Sequence, residues 1–423
     1  MKILLIHYRY SVIGGPERYL FNVKDALEEK GHEVIPFSVA YPDNEPSEYE
    51  KYFVTPLTNE FHLHKAKLSI FQSLSIARKM IYNKEAYNKL LDLIDDVKPD
   101  IAYVLIYKGK LTYSIFEALK KTKIPAVLRV SDFSMLCGKN IFFRNNEICT
   151  LCVKQKYNLI KYKCVHDSYI YSLLSYLSMI TQEKKKINYL IDEIIAPALF
   201  TASFFKNHHK YKITKITHLP TFTNIENYEL SYEKIQKRYN DKIITFIGRI
   251  SEEKGVSLLV NSLINLKKSN FEFQVVLTGF SDNEYSFKIK ELIRTNDLED
   301  NIKCIGFIEK DELFDIIDRS YISVVPSICY DNMPNSLIES QSFGVPIIAS
   351  NLGSFPELIM DNVNGLLFEH NNMIDLSEKI KKALSFDINE YTKYSNSSIK
   401  WVNDYCSKDK HIEKLITIFS KYI

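Results

Sequence analysis

Apolar and polar positions follow one another along this chain in the order of a parallel α/β protein. Lys2 to His7 is a short run of the kind buried on both faces, and a loop, Tyr8 to Pro16, follows it. A helical period from about Glu17 to Lys30 closes on Gly31, and Val34 to Val39 resumes as a strand. Strand, loop, helix and strand in that order predict parallel pairing. The pattern continues with a helix from Ala86 to Val97, a strand from Ile101 to Ile106 and a helix from Tyr113 to Lys121. Strands from Ala126 to Val130 and Ile191 to Ala196 complete it.

A polar, Tyr-rich stretch from Asn224 to Asp241 interrupts this order, which then restarts. Strands are expected at Ile243 to Gly248, Phe273 to Thr278, Ile302 to Gly306, Ile322 to Pro326 and Pro346 to Ser350. Helices are expected between them at Val256 to Leu266, Phe287 to Thr295, Glu312 to Ser320 and Asn335 to Phe343. The reading is two doubly wound α/β domains, 1–225 and 240–390, with an insertion at about 134–168 in the first. A helical tail, 391–423, is expected to pack back on the first domain. Open parallel sheets bind ligands beyond the carboxyl ends of their strands, so two such domains facing across a cleft would hold a ligand between them.

Composition narrows the class. Of 423 residues, 46% are hydrophobic and 25% charged, which excludes fibrous and disordered chains. The net charge of +3 hides an asymmetry: residues 1–225 carry 32 basic and 22 acidic side chains, the remainder 23 and 30. A basic first half suits an anionic partner, either a membrane surface or a phosphate-bearing substrate. The basic residues are scattered and no nucleic-acid reader motif occurs, so nucleic acid is excluded as a partner. The N-terminal apolar stretch, Ile3 to Ile6, is shorter than a secretory leader needs, and seven cysteines without one argue against a disulfide framework. The expectation is a cytoplasmic protein.

Three groups of residues can carry chemistry. Gly14-Gly15-Pro16-Glu17-Arg18 opens the first helix; its glycines and helix N-terminus suit either a phosphate contact or a plain tight turn. Gly248 ends the first strand of the second domain, with Arg249 and Lys254 following as cations able to stabilise a departing diphosphate. Asp331-Asn332-Met333-Pro334-Asn335-Ser336-Leu337-Ile338-Glu339 places one carboxylate ahead of a helix and the other about one turn inside it. A carboxylate suits a sugar because it accepts hydrogen bonds from two neighbouring hydroxyls.

In this order the residues resemble the retaining glycosyltransferases of GT-B architecture, two Rossmann-like domains, and among them glycosyltransferase family 4. Asp331 to Glu339 resembles that family's E-x7-E motif. Gly14 to Arg18, Gly31-His32-Glu33-Val34, Val97-Lys98-Pro99-Asp100-Ile101, Pro326-Ser327, Phe343-Gly344-Val345-Pro346 and Asn364-Gly365-Leu366 fall where the family has similar residues. The resemblance implies that Glu339 holds the donor ribose and Asp331 the transferred sugar, while Arg249 and Lys254 neutralise the diphosphate. Gly14, Gly15, Gly248, Met333 and Leu337 would line the donor site with the amides near Asn335 and Ser336, and the base would lie near Phe307-Ile308. Two departures stand out. The first motif carboxylate is Asp331 where the family usually has Glu. Ser131 stands before Asp132 where the family often has His; Asp132 is left as a contact for acceptor or sugar, or as a loop former.

The activity implied is hexosyl transfer from a nucleotide-diphosphate sugar, with retained anomeric configuration and without a catalytic metal or other cofactor. The acceptor would be a glycan or lipid-linked glycan in bacterial surface polysaccharide or glycolipid synthesis. Glycan phosphorylases of this fold use a pyridoxal lysine, and epimerases of this fold lack the Asp331/Glu339 pair. An accessory protein that binds nucleotide sugar with little turnover is the reading from another class, suggested by Asp331 and Ser131. Two features lie outside the resemblance. Cys137, Cys149, Cys152 and Cys164 contain a C-x2-C pair that could hold a structural Zn²⁺ or remain as thiols. Lys184-Lys185-Lys186 follows an aromatic, apolar segment, Tyr169 to Ile180, which fits either peripheral contact with an anionic membrane or a core helix with a solvated end.

Overall fold

A computed structural model describes residues 1–58, 70–225, 228–269 and 271–423; positions 226 and 227 of the Tyr-rich stretch lie outside it. The chain forms two compact units, one made of Met1–Phe142, Cys149–Leu219 and Asp409–Ile423, the other of Phe143–Ile148 and Pro220–Lys408.

The first unit is built on a six-stranded parallel sheet. Its strands are β1 (Lys2–His7), β2 (Glu33–Phe37), β3 (Ile101–Ile106) and β4 (Ala126–Arg129), followed after a small hairpin by two more. The hairpin strands are β5 (Phe143–Arg144) and β6 (Glu147–Ile148); the remaining sheet strands are β7 (Glu193–Ala196) and β8 (Lys215–His218). The order across the sheet is β2-β1-β3-β4-β7-β8. Ile3 to Ile6 and Ile101 to Val104 are fully buried, as strands covered on both faces by helices must be.

The second unit has strands β9 (Ile243–Phe246), β10 (Gln274–Leu277), β11 (Ile302–Cys304), β12 (Ile322–Val325), β13 (Ile347–Ser350) and β14 (Gly365–Phe368). Its order, β11-β10-β9-β12-β13-β14, is the doubly wound order that runs outward in both directions from its first strand. The topological switch therefore falls between β9 and β12, which pair in parallel through Ile322–Ile244 and Ser323–Thr245. Ile244, Phe246, Leu259, Leu263, Val275 and Leu277 fill the core between this sheet and the helix Val256–Lys268.

The Tyr-rich stretch contains a helix, Tyr232–Asp241, capped by Ser231, whose hydroxyl accepts from the Lys234 amide at 3.3 Å. Arg238, only 2% exposed, donates to the carbonyls of Asp318 and Phe343, each at 2.8 Å, and anchors that helix. The C-terminal region divides between the units. The helix Ile388–Tyr405 belongs to the second, where Tyr391 stacks on Tyr321 at 4.3 Å and Trp401 packs with Met333 and Ile338. Asp409–Ile423 belongs to the first, where Tyr19 and His411 share a 2.9 Å hydrogen bond.

Candidate functional site

The loops leaving β9 and β12 meet at the switch point of the second sheet. After β9 the chain runs through Gly248 and Arg249 into a single turn, Glu252–Lys254, and then into the helix Val256–Lys268. After β12 it runs through Pro326 and Ser327 to Asp331. Two glycines permit the β9 loop to lie close to its neighbours, the loops after β12 and β10. Gly255 adopts φ +69°, and a Cβ there would lie 1.9 Å from the Pro326 carbonyl oxygen. Gly279, beyond β10, adopts φ +89°, and its Cβ would lie 2.1 Å from the Gly248 carbonyl oxygen. Only glycine meets both demands.

Lys254 and Asp331 form a bidentate ion pair, with Nζ 2.6 Å from Oδ1 and 2.9 Å from Oδ2. The side chains are 23% and 16% exposed. The Ser327 hydroxyl donates to Asp331 Oδ2 at 2.6 Å, while Ser350 and Ser354 donate to the carbonyls of Ser327 and Asp331 at 2.7 and 2.8 Å. Three serines thus hold the loop that presents the carboxylate. Burial pulls the Lys254 ammonium down and the Asp331 charge more than reverses this, so its pKa stands above the usual lysine value. Burial, with a contribution from Asp331, pushes the neighbouring Cys329 thiol up and keeps it protonated.

Glu339 lies one turn into the helix Asn335–Ser342, opened by Pro334, and is 9% exposed. Arg249 behaves differently from Lys254: its side chain is 83% exposed and lies 3.9 Å from Glu253. Both cations are expected from the sequence to face a diphosphate, but Lys254 is held in a largely buried pair while Arg249 reaches into solvent. Met333 and Leu337 also differ from expectation. Both side chains are buried in a core cluster with Ile338 and Trp401, and the Met333 sulfur accepts from the Thr221 amide at 3.1 Å. Beside a ligand they can offer only backbone. Asn335 and Ser336 sit at the open end of the helix, and Phe307 is 72% exposed while Ile308 packs beside Phe343. Ser350 and Ser354 are not signalled in the sequence, because lone serines carry no spacing signal, and Ser327 stands out there only through the resemblance of Pro326-Ser327.

In the first unit, Gly14 caps the helix Gly15–Glu29, with Pro16 in its first turn. Glu17 of that turn is buried, and its Oε1 lies 3.8 Å from His7 Nε2 at the end of β1. Asp132 lies past β4 at a small open recess, lined among others by Tyr107, Arg129, Ser131 and Ser134. Its Oδ1 accepts from the Ser134 amide at 2.8 Å, the Asx-turn bond of a loop former. Ser131 donates to the Leu105 carbonyl at 3.3 Å.

Burial lowers the pKa of His7 to about 4. The native ring is therefore neutral across the window in which the unfolded ring, near 6.5, takes up a proton. The resulting stability is complete above the unfolded value and is lost as pH falls toward 4. The shift amounts to about 3 kcal/mol. Urea denaturation between pH 7 and 4 should show the stability gap between wild type and His7→Gln shrinking by that order as pH falls; a constant gap would contradict it.

Cys152 is buried against Leu159, Met179 and Cys164. Gly138, next to Cys137, approaches the same leucine so closely that a Cβ would lie 2.4 Å from its methyls. Burial, with the other three cysteines of the set contributing, pushes the Cys152 thiol up to about 12. All seven cysteines are free thiols, and among the described residues no group of three or more His, Cys, Asp or Glu is arranged to hold a metal ion.

The fold has solved counterparts over its whole length. A glycosyltransferase from Rickettsia africae superposes with a TM-score of 0.68, covering 100% of this chain and 98% of that one at 21% identity. The architecture is GT-B. The GT-B protein HepE of Anabaena, solved with UDP-glucose, superposes with a TM-score of 0.69 and full coverage of both chains at 16% identity. Residues 228–401, which carry the Lys254–Asp331 pair and Glu339, match the family described as glycosyl transferases group 1. The amylovoran biosynthesis glycosyltransferase AmsK of Erwinia amylovora is 28% identical over 154 residues, 34% of this chain and 37% of that protein. The chain thus aligns with little more than a third of this curated relative's length.

Proposed function

We propose that the protein is a retaining glycosyltransferase that moves a hexosyl group from a nucleotide-diphosphate sugar to a glycan or lipid-linked acceptor in bacterial surface polysaccharide synthesis. The observation that carries the proposal is the Lys254–Asp331 pair at the switch point of the second sheet, one short loop ahead of Glu339. Glu339 would accept both ribose hydroxyls. Asp331, fixed by Ser327 and Lys254, would orient the sugar. Lys254 has a third N–H to give a phosphate oxygen, and Arg249 and the amides at Asn335 and Ser336 would complete the diphosphate cradle. In the reaction the bond from C1 to the phosphate oxygen breaks and the acceptor oxygen bonds C1 on the same face. The acceptor's proton passes to the departing phosphate, whose charge the cations stabilise without a metal. Asp132 and the recess past β4 are the proposed acceptor contacts. The amylovoran relative supports a polysaccharide product, and the UDP-glucose complex of the Anabaena protein makes UDP-glucose the first donor to try.

Thermal unfolding in the presence of UDP-, GDP- and ADP-sugars tests the donor site. A donor at 100 times its dissociation constant should stabilise the protein by about 2.7 kcal/mol. Glu339→Ala should keep the melting temperature of the free protein within a few degrees yet lose two charge-assisted bonds, each of about 1.5–3 kcal/mol, and with them the shift. Stabilisation by none of the nucleotides, with the protein folded, would overturn the proposal.

A further inference from the structure

The helix Tyr169–Lys184 of the first unit is amphipathic in the inverted sense. Its buried positions are Ser172, Ser178, Met179 and Gln182, three of the four polar. Those polar groups are satisfied inside: the Tyr107 hydroxyl donates to Gln182 at 3.1 Å, and Gln182 donates to Ser178 at 3.2 Å. The helices Ile70–Ile81 and Asn158–Lys161 pack against it. Its outward positions are apolar, with Tyr169 58%, Ile170 70%, Leu173 44% and Leu177 38% exposed. Their spacing draws one stripe along the helix. A helix that served only the core would carry these residues on the other side.

The charge around the stripe identifies what it meets. Residues 151–190 contain seven lysines and two acidic residues, Asp167 and Glu183. Glu183 is already paired with Lys156 and Lys210, so it does not offset the others. Exposed lysines stand at both ends of the stripe, Lys161 and Lys163 before it and Lys184 after it on the same face. Lys163 lies 4.5 Å from the centre of the Tyr169 ring, which joins the cationic end to the apolar row. Tyr157 and Tyr189, 49% and 60% exposed, add further amphipathic rings. Apolar side chains between lysines, with tyrosines at the margins, match the layers of a bilayer surface, where acyl chains lie beneath anionic headgroups and rings favour the boundary. No helix among the described residues is long and apolar enough to cross a membrane, so contact through this helix would lie along the surface.

We infer that the outward face of the helix Tyr169–Lys184, with Lys161, Lys163 and Lys184, is a docking surface for an anionic lipid bilayer. The inference stands on this face alone and is independent of the donor chemistry of the second unit.

Co-sedimentation of the full chain with vesicles decides it. Vesicles of phosphatidylcholine with about 30 mol% phosphatidylglycerol should retain the protein at low salt, release it as salt rises, and bind it at least about tenfold more tightly than pure phosphatidylcholine. The variant Lys161→Gln/Lys163→Gln/Lys184→Gln should lower partitioning by about 100-fold. The variant Ile170→Ser/Leu173→Ser/Leu177→Ser should lower it by at least about tenfold. All six positions are exposed, so both variants should melt where the wild type does, and their donor-induced thermal shift should be unchanged. Equal binding to neutral and anionic vesicles, no binding to either, or wild-type partitioning by both variants would overturn the inference. So would a stripe variant that abolished self-association in light scattering while binding vesicles normally, since the face would then serve a second copy of the chain.

Discussion

Lys254→Met should destabilise the protein by about 3–5 kcal/mol, because it removes the cation from a largely buried carboxylate. Asp331 would keep the Ser327 hydroxyl, 2.6 Å away, while its charge went unbalanced. Asp331→Asn should cost less, since an amide still accepts from Ser327 and an ammonium 23% exposed retains some access to water. The double variant Lys254→Met/Asp331→Asn should then recover at least about 1.5 kcal/mol relative to the sum of the two, the signature of a directly coupled pair. Urea denaturation of the four proteins measures this; additivity within about 0.5 kcal/mol would show that the pair contributes no coupling. The sign with pH follows from the raised lysine value. Its stabilisation is fully present below the unfolded lysine pKa of about 10.4 and fades only as pH rises through the higher folded one. The experiment at pH 7 therefore sees all of it. Donor binding should weaken in Lys254→Met beyond what the lost stability explains, since the proposed third N–H of that ammonium goes to phosphate.

The alternation of strand and helix was plain in the sequence wherever strands are buried on both faces, as in Ile3 to Ile6 or Ile322 to Val325. What escaped it has identifiable causes. The edge strand β8, KITH, is short and polar because it faces neighbours on one side only. The hairpin of β5 and β6 turns on Asn145 and Asn146, both at positive φ, a two-residue turn signalled by Asn pairs but hidden among the cysteines. The helix Tyr232–Asp241 reads as a linker because its buried positions are one isoleucine, Ile235, and one arginine, Arg238, amid polar residues. The candidate site was legible to a similar depth. Asp331, Glu339 and Lys254 could be named from their spacing, but not that Lys254 and Asp331 would bond to one another across 77 residues. Long-range ion pairs leave no local period. Nor could the sequence separate the buried Leu337 side chain from its neighbours Asn335 and Ser336, which open the same helix.

Gly255 is the position where backbone space, not a side chain, governs the site, and Gly255→Ala should be among the most damaging single changes in the second unit. Two costs add. The residue sits at φ +69°, where a Cβ costs roughly 1–2 kcal/mol. That Cβ would also meet the Pro326 carbonyl oxygen at 1.9 Å and its carbon at 2.8 Å, a backbone obstacle that cannot swing aside. The loops after β9 and β12 would have to separate, straining the hydrogen bond from the Ile328 amide to the Glu253 carbonyl, now 3.0 Å, and drawing Lys254 from Asp331. A total of at least about 4 kcal/mol is expected, in the range reserved for overpacking and backbone strain together. Gly31 supplies the comparison that isolates the clash. It has a similar φ, +80°, at the end of the helix Gly15–Glu29, and a Cβ there would meet nothing within 4 Å. Gly31→Ala should therefore cost only the conformational part, about 1 kcal/mol. Denaturation midpoints of the two variants measure the difference. If Gly255→Ala were no worse than Gly31→Ala, the close approach of the β9 and β12 loops, and with it the geometry assigned to Lys254 and Asp331, would be wrong.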